Sequence, residues 1–229
     1  MIRRRMLAKL EHRAKRAGLD LSRDLTRNLE AYFSLLSRWN ARINLTSLGD
    51  EGAAVDRLLI EPLVAARYVG VKRMMALDVG SGGGSPAIPL KLARPRLSLT
   101  MVESKTRKVA FLKEAIRTLA LDETGVETAR DEELLLRPEF HEAFALITIR
   151  AVRIEKSLLG RLQAFLAPGG RLLLFRGPSG QDVPSAVSPP LRWVETVPLV
   201  ESLRSRLVIL EKRPVGHAKV SRIVSRETS

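Results

Sequence analysis

The first 70 residues carry apolar positions at the three-to-four-residue spacing of amphipathic helices. One helix is predicted over residues 25–40, with its apolar side chains on a single face. A charged helix is predicted over residues 5–17 and ends at Gly18, and a third helical stretch runs over residues 55–63. Pro62 should kink or restart this third stretch, because proline has no N–H to donate within a helix. The pattern therefore predicts an N-terminal helical cap.

After residue 73 the pattern changes to short apolar runs that alternate with helices, which is typical of βαβ units and a parallel sheet. Helices are predicted over residues 105–120, with Ser104 as N-cap, and over residues 154–165. Residues 177–190 are rich in Pro, Ser and Gly and are predicted to form a loop. A closing antiparallel hairpin should follow. The predicted strands cover residues 74–79, 97–102, 126–129, 144–148, 172–175, 193–197 and 207–210.

Composition narrows the class of protein. The chain has 229 residues, of which 45% are hydrophobic and 28% charged, as in an ordinary globular domain. No apolar run approaches the roughly 20 residues needed to span a bilayer. There is no cysteine, and the three histidines are scattered, so a disulfide is excluded and a metal site is not expected. We expect a cytoplasmic monomer that binds neither a metal nor a membrane.

The net charge of +14 is concentrated at the two ends of the chain. Residues 1–28 hold nine basic and three acidic side chains, and residues 201–229 hold seven and three. Such terminal charge can contact a polyanion without disturbing a core, which favours nucleic acid as the partner over a merely solvated basic surface. We expect residues 1–20 to contribute to RNA affinity and not to the affinity for a cofactor.

The most informative local feature is a glycine-rich turn directly after the first predicted strand. Gly80, Gly82 and Gly84 permit a tight turn and let a ligand approach the backbone. Glu103 ends the second strand about 20 residues later, where a carboxylate can accept hydrogen bonds from both ribose hydroxyls of an adenosine cofactor. Asp78, just before the first glycine, suits the charged amino-acid end of S-adenosylmethionine. The pattern therefore favours a methyltransferase, although a nicotinamide fingerprint can also be aligned to these glycines.

Two further segments follow the third and fourth predicted strands, at the sheet edge where open α/β sheets bind ligands. Asp131 and Glu132 lie in the first, and could meet the adenine of the cofactor. Arg150 lies in the second, and could grip a carboxylate or a phosphate with two N–H groups. Without other context, each of these segments is more often a solvated helix start or a surface ion-pair partner.

The chain resembles the bacterial small-subunit (16S) ribosomal RNA guanine-N7 methyltransferase G family, also named glucose-inhibited division protein B, from about residue 30 to residue 177. The string Trp-Asn-x-x-x-Asn-Leu-Thr from Trp39 is more specific than the glycine loop, because generic methyltransferases lack it. The matching segments are RWNxxINLTS from Arg38, LDVGSGGGSPAIPLKLARP over 77–95, VESKTRKVAFLKE over 102–114, the turn 130–133, IRAV over 149–152 and PGGRLLLFRG over 168–177.

The resemblance implies a Rossmann-like class I methyltransferase: a mostly parallel sheet with a closing antiparallel hairpin and an N-terminal helical cap. Together with the helical and charge patterns, it leads us to expect a basic helical extension or cap over residues 1–70, a methyltransferase core over 71–213 and a basic tail over 214–229. By analogy with the family, the cofactor contacts would fall on Gly80, Ser85, Asp131, Glu132 and Arg150, with Glu103 in the ribose position.

The chain departs from the family pattern at three places. Ser85-Pro86-Ala87 replaces an aromatic residue or leucine followed by Pro-Gly, which reduces the apolar contact available to the cofactor at position 85. Leu58 replaces a common histidine, and Ile149 replaces a serine. These departures leave the affinity for the cofactor and the RNA target open.

The resemblance implies methyl transfer to N7 of a guanine in ribosomal RNA, in the free RNA or in the small ribosomal subunit. Guanine N7 has an in-plane lone pair and needs no general base, so we assign no catalytic residue. Asn40, Asn44 and Arg150 are candidates for placing the target base or its phosphate. The alternatives are an RNA-binding protein that keeps the fold without catalysing a reaction, a methyltransferase for another RNA, and a nicotinamide oxidoreductase. The last is disfavoured because the sequence offers no Tyr-Lys or histidine proton donor for hydride transfer.

Overall fold

A computed structural model of the chain describes residues 2–46, 50–150, 154–178 and 187–214. Ser47 and residues 151–152 of the family motifs lie outside the described residues. So do residues 179–186 of the predicted loop and, apart from Pro214, the predicted basic tail.

The N-terminal cap consists of helices at the predicted places. Its two long helices are α1 (Ile2–Arg16) and α2 (Arg23–Ile43), so α2 continues three residues beyond the predicted end. The hydroxyl of Ser22 caps α2 by accepting the N–H of Leu25 at 3.2 Å, and Asn44 ends it with a left-handed backbone at φ 44°. A continuous helical stretch follows: α3 (Glu51–Val55), a π-helix (Asp56–Ile60), α4 (Glu61–Ala65) and a 3₁₀ turn (Ala66–Tyr68).

One seven-stranded sheet forms the core, in the order β3-β2-β1-β4-β5-β7-β6. The first five strands are parallel, and β7 and β6 add antiparallel to β5, which confirms the predicted fold class. The strands are β1 (Met74–Val79), β2 (Leu97–Val102), β3 (Thr124–Glu127), β4 (Phe144–Arg150), β5 (Leu166–Arg176), β6 (Leu191–Pro198) and β7 (Arg206–Lys212). The helices between them are α5 (Ala87–Ala93), α6 (Thr106–Thr118), α7 (Asp131–Leu134) and α8 (Lys156–Phe165).

Strand β4 runs past its predicted end at residue 148, so Arg150 is part of the strand and does not follow it. Other local predictions were also wrong. Strand β3 ends at Glu127 rather than at residue 129, because its partner β2 pairs with it only up to Val102. Ser104 is not the N-cap of α6: the helix starts at Thr106 after Lys105, whose N–H is taken by the carboxylate of Glu103. Strand β5 is also longer than predicted, because it begins before the Pro-Gly-Gly segment 168–170, with an irregular register against β4.

Two hydrophobic clusters cover the two faces of the sheet. The first joins side chains of the cap helices, such as Leu10 and Leu36, to sheet residues such as Leu99 and Leu173. The second packs α7 and α8 against the opposite face. The first cluster therefore contains residues from both sides of the predicted domain boundary at residue 70. No helix in the described part of the chain is long and apolar enough to cross a membrane.

Candidate functional site

The glycine-rich turn lies at the carboxyl end of β1 and is held against β2. The N–H groups of Gly80 and Ser81 both donate to the carbonyl of Val102, at 2.9 and 3.0 Å. Gly84 has a left-handed backbone with φ 81°, and a Cβ there would lie only 2.5 Å from Cδ1 of Ile88. A larger residue at position 84 would therefore be strained and would also clash, so glycine is required there.

Helix α2 supports the same turn from behind. The hydroxyl of Tyr32 donates to the carbonyl of Gly83 at 2.6 Å. Tyr32 is fully buried, and burial raises its pKa well above the usual range, so the phenol stays protonated as a donor. Further along the helix, Trp39 packs edge-on against Phe111 of α6, with 5.9 Å between ring centres. Trp39 thus packs the cap against α6.

Glu103 follows β2 and is 93% buried, with 7% of its surface exposed. One carboxylate oxygen accepts the N–H of Gly82 at 3.0 Å, and the other accepts the N–H of Lys105 at 2.8 Å. A carboxylate oxygen can accept more than one hydrogen bond, so both retain capacity for a ligand hydroxyl. Glu103 therefore fixes the glycine turn and also lines the adjoining cleft.

A cleft of about 470 Å³ opens beside Gly80 and Glu103, between the ends of β1 to β4 and helix α8. Asp131 and Glu132 line it, and Arg161 of α8 binds both carboxylates, at 2.6 and 3.1 Å. The hydrogen bond to Asp131 raises the pKa of Arg161. The two acids are therefore held in place by α8, an interaction that sequence spacing does not indicate.

Asp78 lies at the carboxyl end of β1 and is almost completely buried. Its Oδ1 accepts the hydroxyl of Thr148 on neighbouring β4 at 2.5 Å, whereas Oδ2 has no hydrogen-bond partner among the described residues. Burial raises the pKa of Asp78, and the bond from Thr148 together with nearby Arg150 acts in the opposite direction. A buried carboxylate oxygen without a donor is costly, so Oδ2 is left to accept a hydrogen bond from a ligand.

Arg150 ends β4, the strand next to β1. Its Nη1 donates to Oε2 of Glu61 at 2.6 Å and to the carbonyl of Arg57 at 2.7 Å, and its guanidinium lies over the ring of Phe175, 4.6 Å from the ring centre. Its Nε and Nη2 are buried and have no partner within the described ranges. Burial lowers the pKa of Arg150, while Glu61 and Asp78 oppose that shift. Two donors remain available for a carboxylate or a phosphate.

Sequence reasoning missed Glu61 as a site residue. Its carboxylate is buried at 4% exposure and anchors Arg150 from the cap. The signal that could have found it is the position of the acid within an otherwise apolar helical run, because a buried charge needs a partner.

The remaining candidates have structural partners. The hydroxyl of Ser85 donates to the carbonyl of Leu58 at 2.9 Å, which joins two positions where the chain departs from its family pattern. Oδ1 of Asn40 accepts the N–H of Thr46 at 2.8 Å, and Asn44 supplies the left-handed turn that ends α2. None of the three lines the cleft beside Glu103, and their contacts with a cofactor or an RNA stay predictions.

The sheet order, the glycine turn after β1 and the carboxylate after β2 define the class of Rossmann-like S-adenosylmethionine-dependent methyltransferases. Solved structures with the same fold include a SAM-dependent methyltransferase from Aquifex aeolicus (TM-score 0.54, 16% identity, 77% of this chain and 97% of that one). The [4+2]-cyclase SpnF also shares it, with TM-score 0.56 and 16% identity over 82% and 94% of the two chains. At such identities the likeness concerns the fold alone.

The chain belongs to the rRNA small subunit methyltransferase G family, whose sequence profile matches residues 25–184. A ribosomal RNA small subunit methyltransferase G from Syntrophotalea carbinolica is 32% identical over 91% of this chain and 99% of its own length. A relative of the same name from Xylella fastidiosa strain 9a5c is 39% identical over 85% and 91% of the two chains. The resemblance seen in the sequence motifs is thereby confirmed, and the protein is a methyltransferase that uses S-adenosylmethionine.

Proposed function

We propose that this protein transfers a methyl group from S-adenosylmethionine to N7 of a guanine in small-subunit ribosomal RNA. The observation that carries the proposal is that two oppositely charged side chains on adjacent strands each have buried atoms without a hydrogen-bond partner among the described residues. Oδ2 of Asp78 and the Nε and Nη2 groups of Arg150 are buried, and no described residue binds them. The names of the family and of its relatives support ribosomal RNA as the substrate.

The donor and acceptor atoms of the site fit the cofactor. The amino-acid end of S-adenosylmethionine carries an ammonium and a carboxylate, which match Asp78 and Arg150 respectively. Glu103 would bind the ribose, and the segment around Asp131 and Glu132 would meet the adenine in the cleft. Gly80 would keep side chains away from it at the wall of the cleft, and the proposal keeps Gly82, Gly84 and the following Ser85 as contacts along the turn.

The chemistry requires positioning and no proton transfer before attack. S-adenosylmethionine supplies an electrophilic methyl group on a sulfonium, and guanine N7 has a lone pair in the plane of the ring. Glu103, Asp131 and Glu132 already hold N–H or guanidinium groups of the protein, and attack by N7 requires none of them to act as a base. Holding reactants in line can lower a barrier by about 7 to 11 kcal/mol. The protein's contribution would therefore be to hold the target base beside the methyl group.

For the RNA, the proposal assigns Asn40 and Asn44 to the target nucleotide and the basic ends of the chain to phosphates, while the two donors of Arg150 that no described residue binds are assigned to the cofactor and no longer to the nucleotide. The net charge of +14 supports a polyanionic partner, either the small ribosomal subunit or its free RNA. In this proposal the protein acts as a monomer in the cytoplasm. Residues 1–70 serve as the basic cap, 71–213 as the methyltransferase core and 214–229 as a basic tail.

Two measurements test the proposal. Calorimetry should show binding of S-adenosylmethionine and none of NAD. Incubation with the cofactor and small-subunit RNA from cells that lack the native enzyme should then add one methyl group. N7-methylguanosine is a fixed cation with a labile ring, so mild reduction followed by aniline should cut the RNA at one position. Methylation that yields no such cleavage would instead place the methyl on an exocyclic amine or a ribose and would overturn the N7 assignment.

A further inference from the structure

The cap contains a π-helix next to the site, and Pro62 follows it. We use the name π-turn for Asp56–Glu61. The N–H of Glu61 donates to the carbonyl of Asp56, five residues back, instead of to Arg57 as in an α-helix. Pro62 has no N–H and cannot donate to Leu58. The carbonyls of Arg57 and Leu58 thus both lack the donors that a regular α-helix would give them.

Both carbonyls face groups of the candidate site. The carbonyl of Arg57 accepts Nη1 of Arg150 at 2.7 Å, and the carbonyl of Leu58 accepts the hydroxyl of Ser85 at 2.9 Å. The carboxylate of Glu61, at the end of the same turn, accepts Nη1 of Arg150 at 2.6 Å. Three hydrogen bonds therefore link the π-turn to the arginine and to the glycine turn.

The opposite side of the π-turn is held by Asp56. Its side chain is buried, and its Oδ2 forms an ion pair with Arg13 of α1. The same oxygen accepts the hydroxyl of Ser202 at 2.9 Å, from the connection between β6 and β7. Two elements remote in sequence thus fix the turn from behind.

We propose that the π-turn is a positioning element for cofactor binding, with Pro62 and Asp56 as its positioning residues. Pro62 leaves backbone carbonyls of the turn without helical donors, so that they can accept hydrogen bonds from Arg150 and Ser85. Asp56 fixes the position of the turn in which those hydrogen bonds form. The inference rests on the proposed role of Arg150 in binding S-adenosylmethionine. Because Arg13 of α1 holds Asp56, helix α1 then influences cofactor binding indirectly. This differs from the expectation that the first 20 residues do not affect cofactor affinity.

The variant Pro62→Ala separates positioning from stability. Alanine restores an N–H at position 62 and favours the α-helical register, so the helix should be at least as stable as in the parent. Cofactor affinity should nevertheless fall about fivefold or more, which is the lower range of typical coupling between linked groups. Isothermal calorimetry measures the affinity, and thermal unfolding measures the stability. Unchanged affinity with retained folding would overturn the role of Pro62.

The ion pair is tested by Asp56→Asn, with Glu51→Gln as the matched control. Glu51 also pairs with α1, through Lys9 at 2.5 Å, but that pair is more exposed and its residues make no bond to the π-turn. Asp56→Asn should weaken cofactor binding by a factor similar to that of Pro62→Ala, and Glu51→Gln should bind as the parent does. Equal affinities for Asp56→Asn and Glu51→Gln would show that Asp56 is merely structural.

Hydrogen exchange without cofactor distinguishes this inference from the proposed function. In Pro62→Ala and Asp56→Asn, the amides of residues 80–85 should exchange about fivefold faster than in the parent, because Ser85 loses its anchor. Glu51→Gln should leave them unchanged. If the parent fails to bind S-adenosylmethionine while these exchange rates respond, the proposed function falls and the π-turn still positions the glycine turn. If the rates do not respond, the inference falls, whatever the parent binds.

Discussion

At the scale of single residues, the site keeps charged groups buried and incompletely bonded. Asp78 has one oxygen bonded to Thr148 and one without a described partner, and Arg150 has two such nitrogens. These groups reduce the stability of the fold without a ligand, and in the proposed function each would be completed by an oppositely charged group of the zwitterionic end of the cofactor. Such a trade of stability for binding leads to two predictions.

Asp78→Asn should stabilise the protein and weaken cofactor binding. Because burial raises the pKa of Asp78 in the folded state, its favourable contribution is complete below the unfolded pKa and disappears as the pH rises through the folded pKa. The variant should therefore be more stable than the parent at pH 7, and this advantage should vanish at strongly acidic pH. Denaturant unfolding measures it. Cofactor affinity should fall about tenfold to a hundredfold. An Asn variant that binds as tightly as the parent would exclude Asp78 from the ammonium position.

Glu103→Ala should weaken S-adenosylmethionine binding by roughly 1.5 to 3 kcal/mol, because it removes a charged acceptor of hydrogen bonds. Since Glu103 also holds the N–H groups of Gly82 and Lys105, part of the effect could come from the turn. A cofactor analogue without the ribose 2′-hydroxyl separates the two effects. The parent should discriminate against it, and the variant should not. Equal affinity of variant and parent for the cofactor itself would refute the ribose assignment.

At the scale of elements, α1 combines a packing face with a basic face. Met6, Leu10 and Ala14 are buried in the cluster that the cap shares with the sheet, whereas Lys15 and Arg16 are exposed. The sequence suggests that residues 1–20 can be deleted to test RNA binding. The packing makes that deletion uninformative, because it would expose the core and remove the Arg13 partner of Asp56.

Substitution of the exposed charges tests the same hypothesis without unpacking the helix. The triple variant Arg5→Gln, Lys15→Gln and Arg16→Gln should weaken RNA binding and leave both cofactor affinity and thermal stability near the parental values. The slope of log affinity against log salt should decrease by about 0.7 to 0.9 for each phosphate that the variant no longer neutralises. Filter binding over a range of salt concentrations measures the slope. An unchanged slope would exclude this face of α1 from the RNA interface.

At the scale of the whole molecule, the strand order places the site. Strand β1 lies between β2 and β4, so the chain crosses to opposite sides of β1 and leaves a crevice at its carboxyl end. Asp78, Glu103 and Arg150 come from the ends of these three strands and lie near one another at this edge, where Glu103 is the one of the three that lines the cleft. The cap closes the same edge from one side, through Tyr32 on the glycine turn and Glu61 on Arg150.

The sequence by itself determined the fold class and most of the candidate cofactor residues. Local signals were sufficient for this. Strands are recognised as short apolar runs, and the glycines that adopt left-handed backbones follow directly after a strand. Asp78, Glu103 and Arg150 were found by the same logic, since parallel strands bring their carboxyl ends to one edge. The strand limits were less exact, because the end of β3 depends on where its partner stops.

Only the tertiary structure decided how those residues are held. The interactions of Glu61 with Arg150, of Arg161 with Asp131 and of Asp56 with Arg13 join residues 30 to 89 positions apart. No local pattern encodes such pairs, because a helix side chain acquires its partner only when another element packs against it. The same holds for Pro62: the sequence predicts an interruption of the helix, but only packing shows that the opened carbonyls meet Arg150 and Ser85. Burial, which exists only in the packed molecule, also leaves one oxygen of Asp78 and two nitrogens of Arg150 without a partner among the described residues.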